Sequence, residues 1–267
     1  MKKKNKEINE KSEELVQANL NLERSNEELE RFAHIASHDL KTPVRSIVSF
    51  TTLLRRKLGK EKKPEINELL DFIETGGKRM NQLIEDVLEY SRLSGEVKVE
   101  KEILDLNKVA NEIAQLIQNT SKTKRIIIEV SELPKVKWFH SRMYLLLKNL
   151  MENGVKYNES KNPTLKVYHR ITSGINSIYI EDNGIGIKKE YFENIFTMFN
   201  RLHNNSKYEG TGLGLATCKK IVEEFEGKIS IQSEVGKGSI FKIEVPVELI
   251  CLPEEVSADV NEVLQVI

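Results

Sequence analysis

For about its first ninety residues the chain repeats its apolar side chains at intervals of three and four, and after residue 125 it repeats them at intervals of two. A helix brings positions three and four apart onto one face, whereas a strand brings alternate positions onto one face. The two periods occupy separate blocks, so the first block predicts helices packed on helices and the second predicts strands layered with helices. At 267 residues and 39% hydrophobic content the chain is long enough for two domains, each with its own core.

Residues 1–31 are almost wholly polar and contain neither Gly nor Pro. Within them Ile8, Leu15, Leu22 and Leu29 recur every seven residues, ending at Ala36, with Asn5, Ser12, Asn19, Asn26 and Ala33 three residues before each. Leucine at d with mostly asparagine at a predicts a weak, well-registered parallel two-stranded coiled coil. A solvated single helix is the alternative that so thin a stripe leaves open. The next stripe, Ala33, Ala36, Leu40, Val44, Ile47, Thr51, Leu54 and Leu58, predicts a core-facing helix, with Pro43 expected to kink it. LGKEKKPE reads as a loop with Pro64 in the first turn of a second helix, whose stripe is Leu69, Ile73, Gly76, Met80, Leu83, Val87 and Tyr90. Two such helices form an antiparallel hairpin, and one hairpin alone leaves its seam wet. A second copy completing a four-helix bundle is therefore expected. Gly76 and Gly77 interrupt the second helix, for close packing or for local looseness.

His38 falls on the side of the first helix opposite the stripe, followed directly by Asp39 and, one turn on, by Thr42. A carboxylate accepting from one imidazole nitrogen leaves the other free to attack, so the pair fits a nucleophile as well as an ordinary surface histidine beside an aspartate.

SGEVKVEKEILDL, residues 94–106, reads as a linker, and Leu106 to Thr120 as an amphipathic helix capped by Asp105. Strand patterns follow at RIIIEV, KVKW, LKVYHRI, SIYIED, KISIQS and SIFKIEV, alternating with helices predicted at His140 to Tyr157, Lys188 to Phe196 and Leu213 to Glu226. The arrangement predicts a mixed sheet with helices on one face. Lys+Arg and Asp+Glu are both 41, which gives no electrostatic reason for binding nucleic acid or an anionic membrane. No run approaches the length of a membrane span, MKKKNK does not lead into an apolar signal core, and Cys218 and Cys251 have neither metal nor disulfide spacing. These features predict a cytoplasmic chain with no membrane segment.

Three clusters in the second block carry chemistry. NLMENGVKYN aligns Asn149, Asn153, Lys156 and Tyr157 within two helical turns, where amide oxygens suit Mg2+ and lysine suits phosphate. EDNGIGI places Asp182 at a strand end, able to accept from an exocyclic amine, with Gly184 and Gly186 letting backbone pass close to a ring, although a plain Asn-Gly turn has the same letters. EGTGLGL opens a helix with Gly210, Gly212 and Gly214, whose main-chain N–H groups can face phosphates. Between the last two, IFTMFNR offers Phe196 and Phe199 to a lid and Arg201 to a phosphate.

Taken in order, these motifs resemble those of the sensor histidine kinases. ASHDLKTP resembles the phosphoacceptor box, RMNQLIEDVLEYSRL the second helix of the dimerisation domain, NLMENGVKYN the N box, DNGIGI the G1 box, IFTMFNR the F box and GTGLGL the G2 box, with VGKGSIFKIEVP similar to the closing strand. SNEELERFAHIASHDLKTPVRSI is most similar to the soluble, phytochrome-like and PAS-linked branch. Gly154 and Asn158 depart from the family's usual Ala and Ser or Thr.

The resemblance implies a multidomain α and α+β chain. It implies a coiled-coil signalling helix over 1–31, a dimerisation and phosphotransfer hairpin over 32–94, a linker over 95–104, an α/β-sandwich ATP-binding domain of the histidine kinase/Hsp90-like superfamily over 105–247, and an extension of unassigned role over 248–267. It further implies ATP-dependent phosphorylation of His38 with Asp39 as the orienting base, Thr42 positioning water for dephosphorylation of a partner, and Asn153 ligating Mg2+ beside Asn149. Asp182 would read the adenine amino group and Tyr157 would pack near the ring. Lys156 and Arg201 would meet phosphates, and Gly184, Gly186, Gly210, Thr211, Gly212, Leu213 and Gly214 would shape the nucleotide site. The implied partners are a second copy and a response regulator receiver domain, with the upstream sensor expected to lie outside this chain. Two other readings share some of these motifs: an ATPase of the same superfamily without a phosphoacceptor, and a scaffold that binds a regulator without turnover.

Overall fold

The computed structural model describes residues 40–56, 58, 64–93, 100–120, 126–201 and 210–251, so the predicted coiled coil, His38 and Asp39 lie outside the described residues. The chain separates into two compact units, Met1–Glu96 and Val97–Ile267.

In the first unit a helix over 40–56 (α1) is followed by Pro64–Arg92 (α2). Lys41 pairs with Glu85 at 2.6 Å, Val48 lies against Gly77, and Arg55 pairs with Asp71 at 2.7 Å and Glu74 at 3.0 Å. Rising numbers on one helix thus meet falling numbers on the other, which is the antiparallel hairpin that the two stripes predict. Pro43 lies inside α1 without ending it.

The stripes themselves need correction. Val44 and Thr51 of α1 are buried, but Leu40, Ile47 and Leu54 of the same predicted seam are about half exposed. On α2 the buried positions are Leu70, Gly77 and Ile84, each one residue beyond the predicted Leu69, Gly76 and Leu83, and Leu69 is 64% exposed. Each helix carries two adjacent stripes at helical spacing. The narrower one closes the hairpin, while the more apolar one remains on its open side. The Thr51 hydroxyl, buried in the closed seam, donates to the Ile47 carbonyl at 2.8 Å and so has a partner. A Cβ at Gly77 would collide with Val48 Cγ2, whereas nothing stands within 4 Å of one at Gly76. Gly77 therefore serves close packing.

The second unit has two sheets. A five-stranded sheet runs in the order β2 (Ile127–Val130), β4 (Thr164–Thr172), β5 (Ile175–Asp182), β7 (Gly238–Val245), β6 (Lys228–Glu234), with β2 parallel to β4 and the other neighbours antiparallel. A smaller sheet pairs β1 (Glu102–Asp105), β3 (Lys135–Trp138) and β8 (Ile250–Cys251) in the order β1-β3-β8. The segment expected to be linker thus ends in a strand, and the expected extension begins with one. Both are too short to show a period and gain their stability from β3. Helices α3 (Leu106–Thr120), α4 (His140–Lys156) and α5 (Gly214–Glu224) pack on one face of the large sheet. Their buried residues, among them Ile113, Leu146, Leu150 and Ile221, form the core together with the buried Leu165 and Val167 of β4, Ile178 and Ile180 of β5, and Phe241 and Ile243 of β7, which share one sheet face. Asp105 caps α3 through the N–H of Asn107 at 3.1 Å. The other face is polar: Tyr168 stacks on Tyr179 with ring centroids 5.0 Å apart, and Lys242 pairs with Glu244 at 2.8 Å.

The helix predicted from Lys188 to Phe196 is instead two single 3-10 turns, Lys189–Tyr191 and Asn194–Phe196. Only Ile195 is buried in those turns, so no continuous stripe holds a longer helix. The Asn194 carbonyl takes both the Thr197 N–H at 3.1 Å and the Thr197 hydroxyl at 2.6 Å, which ends the second turn.

Candidate nucleotide site

Helix α4 is two-sided. Met143, Leu146, Leu147, Leu150 and Met151 face the sheet, and the half-buried Asn149, Asn153 and Lys156 follow one another by four and three residues beside them. At the helix end Lys156 Nζ lies 4.7 Å from the Tyr157 ring centroid. The start of α5 approaches this stripe, since a Cβ at Gly214 would lie 3.5 Å from Asn149 Oδ1 and one at Gly210 would lie 2.5 Å from Lys156 Nζ. The Asn149 amide, the Lys156 ammonium group and the N-terminal end of α5 therefore converge. An eleven-residue helix leaves its first N–H groups unpaired at that end, an electropositive setting for a phosphate.

Asp182 enters from the sheet. Ile178, Ile180 and Asp182 alternate along β5, so the carboxyl group points to the same helix-covered face as the two isoleucines. Burial pushes its pKa up to about 6, against the opposing pull of backbone N–H groups of Gly184 and Ser239, and the negative charge of Glu181 adds to the rise. The Gly184 N–H donates to Asp182 Oδ1 at 2.8 Å. Gly184 is buried, and a Cβ there would stand 2.5 Å from the Tyr157 carbonyl oxygen, so only glycine lets the loop lie against the end of α4. Ile185 then donates to that same Tyr157 carbonyl at 3.0 Å, and Gly186 has φ of 69°.

Thr211 and Leu213 are buried, the latter 1% exposed, so Leu213 offers the site its main chain while its side chain fills the core. The Gly212 carbonyl accepts from the Phe199 N–H at 3.0 Å. Phe196 and Phe199 part company. Phe196 meets Phe241 edge to face with centroids 6.5 Å apart, whereas Phe199 is 59% exposed with φ of 59°. Arg201 is half-buried at the edge of residues 202–209, which lie outside the described residues. In the first unit Thr42 is exposed on α1, and its carbonyl accepts the Ser46 hydroxyl at 3.1 Å.

Two residues to which the sequence motifs gave no role hold the loop after β5. Asn183 Oδ1 accepts from the Thr164 N–H and from Asn158 Nδ2, both at 2.8 Å, and its Nδ2 donates to the Asn162 carbonyl at 3.0 Å. Asn158 is 5% exposed. An asparagine just before a glycine at a strand end is a recognisable bracing residue, but the partners of these two come from positions about twenty residues apart. Among the described residues no group of three or more His, Cys, Asp or Glu is arranged to hold a metal ion.

Two domain families match the chain: the His Kinase A (phospho-acceptor) domain over residues 28–96, and the histidine kinase-, DNA gyrase B- and HSP90-like ATPase over residues 140–249. Among similar curated proteins are the phytochrome-like protein Cph1 of Synechocystis, 34% identical over 236 residues, and cyanobacterial phytochrome B of Nostoc, 39% identical over 235 residues. These matches cover 88% and 86% of this chain and 31% of each relative, so the chain spans about a third of the length of the relatives it matches. Full-length ShkA, solved in complex with AMPPNP, shares the fold with a TM-score of 0.63 and 22% identity over 83% of this chain and 46% of that one. No helix among the described residues is long and apolar enough to cross a membrane. A phosphoacceptor hairpin followed on the same chain by this ATPase fold, with relatives among the phytochromes, places the chain in the sensor histidine kinase family.

Proposed function

We propose that the chain uses ATP to phosphorylate His38 and passes the phosphoryl group to an aspartate of a response regulator. The observation that carries this reading is the convergence of Asn149, Lys156 and the first turn of α5 at one end of α4, with Asp182 and Gly184 beside its other side. That arrangement offers cationic and amide groups to a triphosphate and the half-buried carboxylate of Asp182 to a base. Asp182 accepts from the exocyclic amine of adenine, Tyr157 lies near the ring, and Lys156 and Arg201 meet phosphate oxygens. Asn153, with Asn149 beside it, is the residue to hold Mg2+, which neutralises charge on the phosphates when bound. The remaining catalysis is positioning and charge stabilisation, which phosphoryl transfer chiefly needs. In the first unit Asp39 orients His38, and Thr42, exposed on α1, positions water when a phosphorylated regulator is dephosphorylated.

The open side of the hairpin supports a homodimer. Leu40, Ile47, Phe50, Leu69, Phe72, Ile73 and Met80 are all more than 40% exposed in the single chain, an apolar surface that a second hairpin would cover as a four-helix bundle.

The test is autophosphorylation with γ-labelled ATP and Mg2+. Acid-labile, base-stable label on the wild-type chain, absent from His38→Gln and retained in Thr42→Ala with loss of regulator dephosphorylation, is the expected result. Label that persists in His38→Gln removes His38 from the reaction, and ATP binding without any label favours a scaffold.

A further inference from the structure

Gly154 lies two residues before the end of α4, in a helix where alanine would be the better helix former. Space rather than propensity decides the residue. A Cβ at Gly154 would stand 2.6 Å from Leu165 Cδ1 and 3.3 Å from Asp182 Cβ. Leu165 is fully buried, so its methyl group has no solvent into which to swing. Leu165 and Asp182 are also direct partners in the β4–β5 register, both facing the helices. The missing side chain at Gly154 thus lets Leu165 rise beside Asp182 and lets α4 settle onto this pair. Asn153, immediately before Gly154, moves with the same helix. One contact therefore fixes the height of the amide-bearing helix over the strand that carries the carboxylate.

We infer that Gly154 and Leu165 are a size-matched positioning pair that sets the distance from α4 to β5, and through it the adenine preference of the nucleotide site. The inference rests on the reading of Asp182 as the adenine contact. Gly154 has no side chain, and Leu165 is fully buried beside Asp182. Their effect is exerted through where Asp182 stands.

The experiment compares ATP with inosine triphosphate, which carries the same phosphates and sugar but lacks the exocyclic amine that Asp182 accepts from. Equilibrium binding with Mg2+ is measured for the full chain as wild type, Gly154→Ala, Leu165→Val and the double variant, with thermal unfolding of each. Gly154→Ala is expected to weaken ATP by about tenfold, the lower range of an overpacking penalty, while inosine triphosphate changes by less than about twofold. In the double variant, where the methyl group in conflict has been removed, ATP preference is expected to return to within about twofold of Leu165→Val alone. Equal loss for both nucleotides, or unchanged ATP binding in Gly154→Ala, overturns the pair. If Gly154→Ala does not fold, the comparison of Leu165→Val with the double variant decides: a drop in ATP preference on adding alanine to the valine background also overturns it. A wild-type chain that binds both nucleotides equally contradicts the adenine contact itself, a result distinct from failure of the pair.

Discussion

Asp182 stands on the helix-facing side of β5, and its carboxyl group is pushed by burial from an ordinary 3.8 to about 6. A carboxyl whose folded pKa is raised holds its proton longer in the folded state than in the unfolded one. As pH rises from about 4 to about 6 the unfolded chain sheds that proton first, so stability falls across this window and is level above it. The cost is accepted because an ionised carboxylate is the stronger acceptor for an amine. Asp182→Asn keeps an oxygen for the Gly184 N–H while removing the charge. It is expected to stabilise the nucleotide-free chain at pH 7 by on the order of 1–3 kcal/mol and to abolish ATP binding. Urea unfolding at pH 7 and pH 4 checks the first part, since the advantage should vanish at the lower pH, and calorimetric titration with ATP checks the second. A variant that is no more stable at pH 7 would mean that the carboxyl group is not under the strain its burial implies.

At the scale of elements, the hairpin and the ATPase fold are held together differently. The second unit has a core in which α3, α4 and α5 pack on the large sheet over the buried residues of β4 and β5. Among the described residues the hairpin closes on little: Val44, Thr51, Leu70 and Ile84, with Val48 seated on Gly77. Its ion pairs at Lys41 and Arg55 are partly exposed, so solvent screens them and they add little. Ile84, at 6% exposure, therefore matters more than its single position indicates. Ile84→Ala is expected to destabilise the hairpin by about 2–4 kcal/mol at every protein concentration. Circular dichroism of urea-unfolded samples at two concentrations checks this, and a loss below about 0.5 kcal/mol would mean that the closed seam contributes little to the hairpin.

At the scale of the whole molecule, the open side of the hairpin carries the argument for two copies. Leu69 is 64% exposed and Phe72 81% exposed, side chains a monomeric helix rarely leaves in water together. Leu69→Asp places a charge in that stripe without touching the closed seam or the nucleotide site. It is expected to convert a dimer into a monomer in sedimentation equilibrium at micromolar concentration and to leave ATP binding unchanged. A variant that remains dimeric would move the interface elsewhere.

The sequence by itself determined the two-block architecture, because the period of the apolar residues changes where the secondary structure changes. The span of α3 and its Asp105 cap, the strand cores and the placement of Asn149, Asn153, Lys156 and Asp182 on helix and strand were also legible, since each rests on local spacing. Only the tertiary structure decided which of two adjacent stripes on each hairpin helix closes the hairpin, because both stripes have helical spacing and differ only in what lies opposite. It also decided that β1 and β8 are strands, since each is stabilised by β3 and not by its own residues. The bracing of the site loop by Asn158 and Asn183, and the fit of Leu165 into the space left by Gly154, depend on residues far apart in the chain being brought to within one side chain of each other. No local pattern encodes that distance.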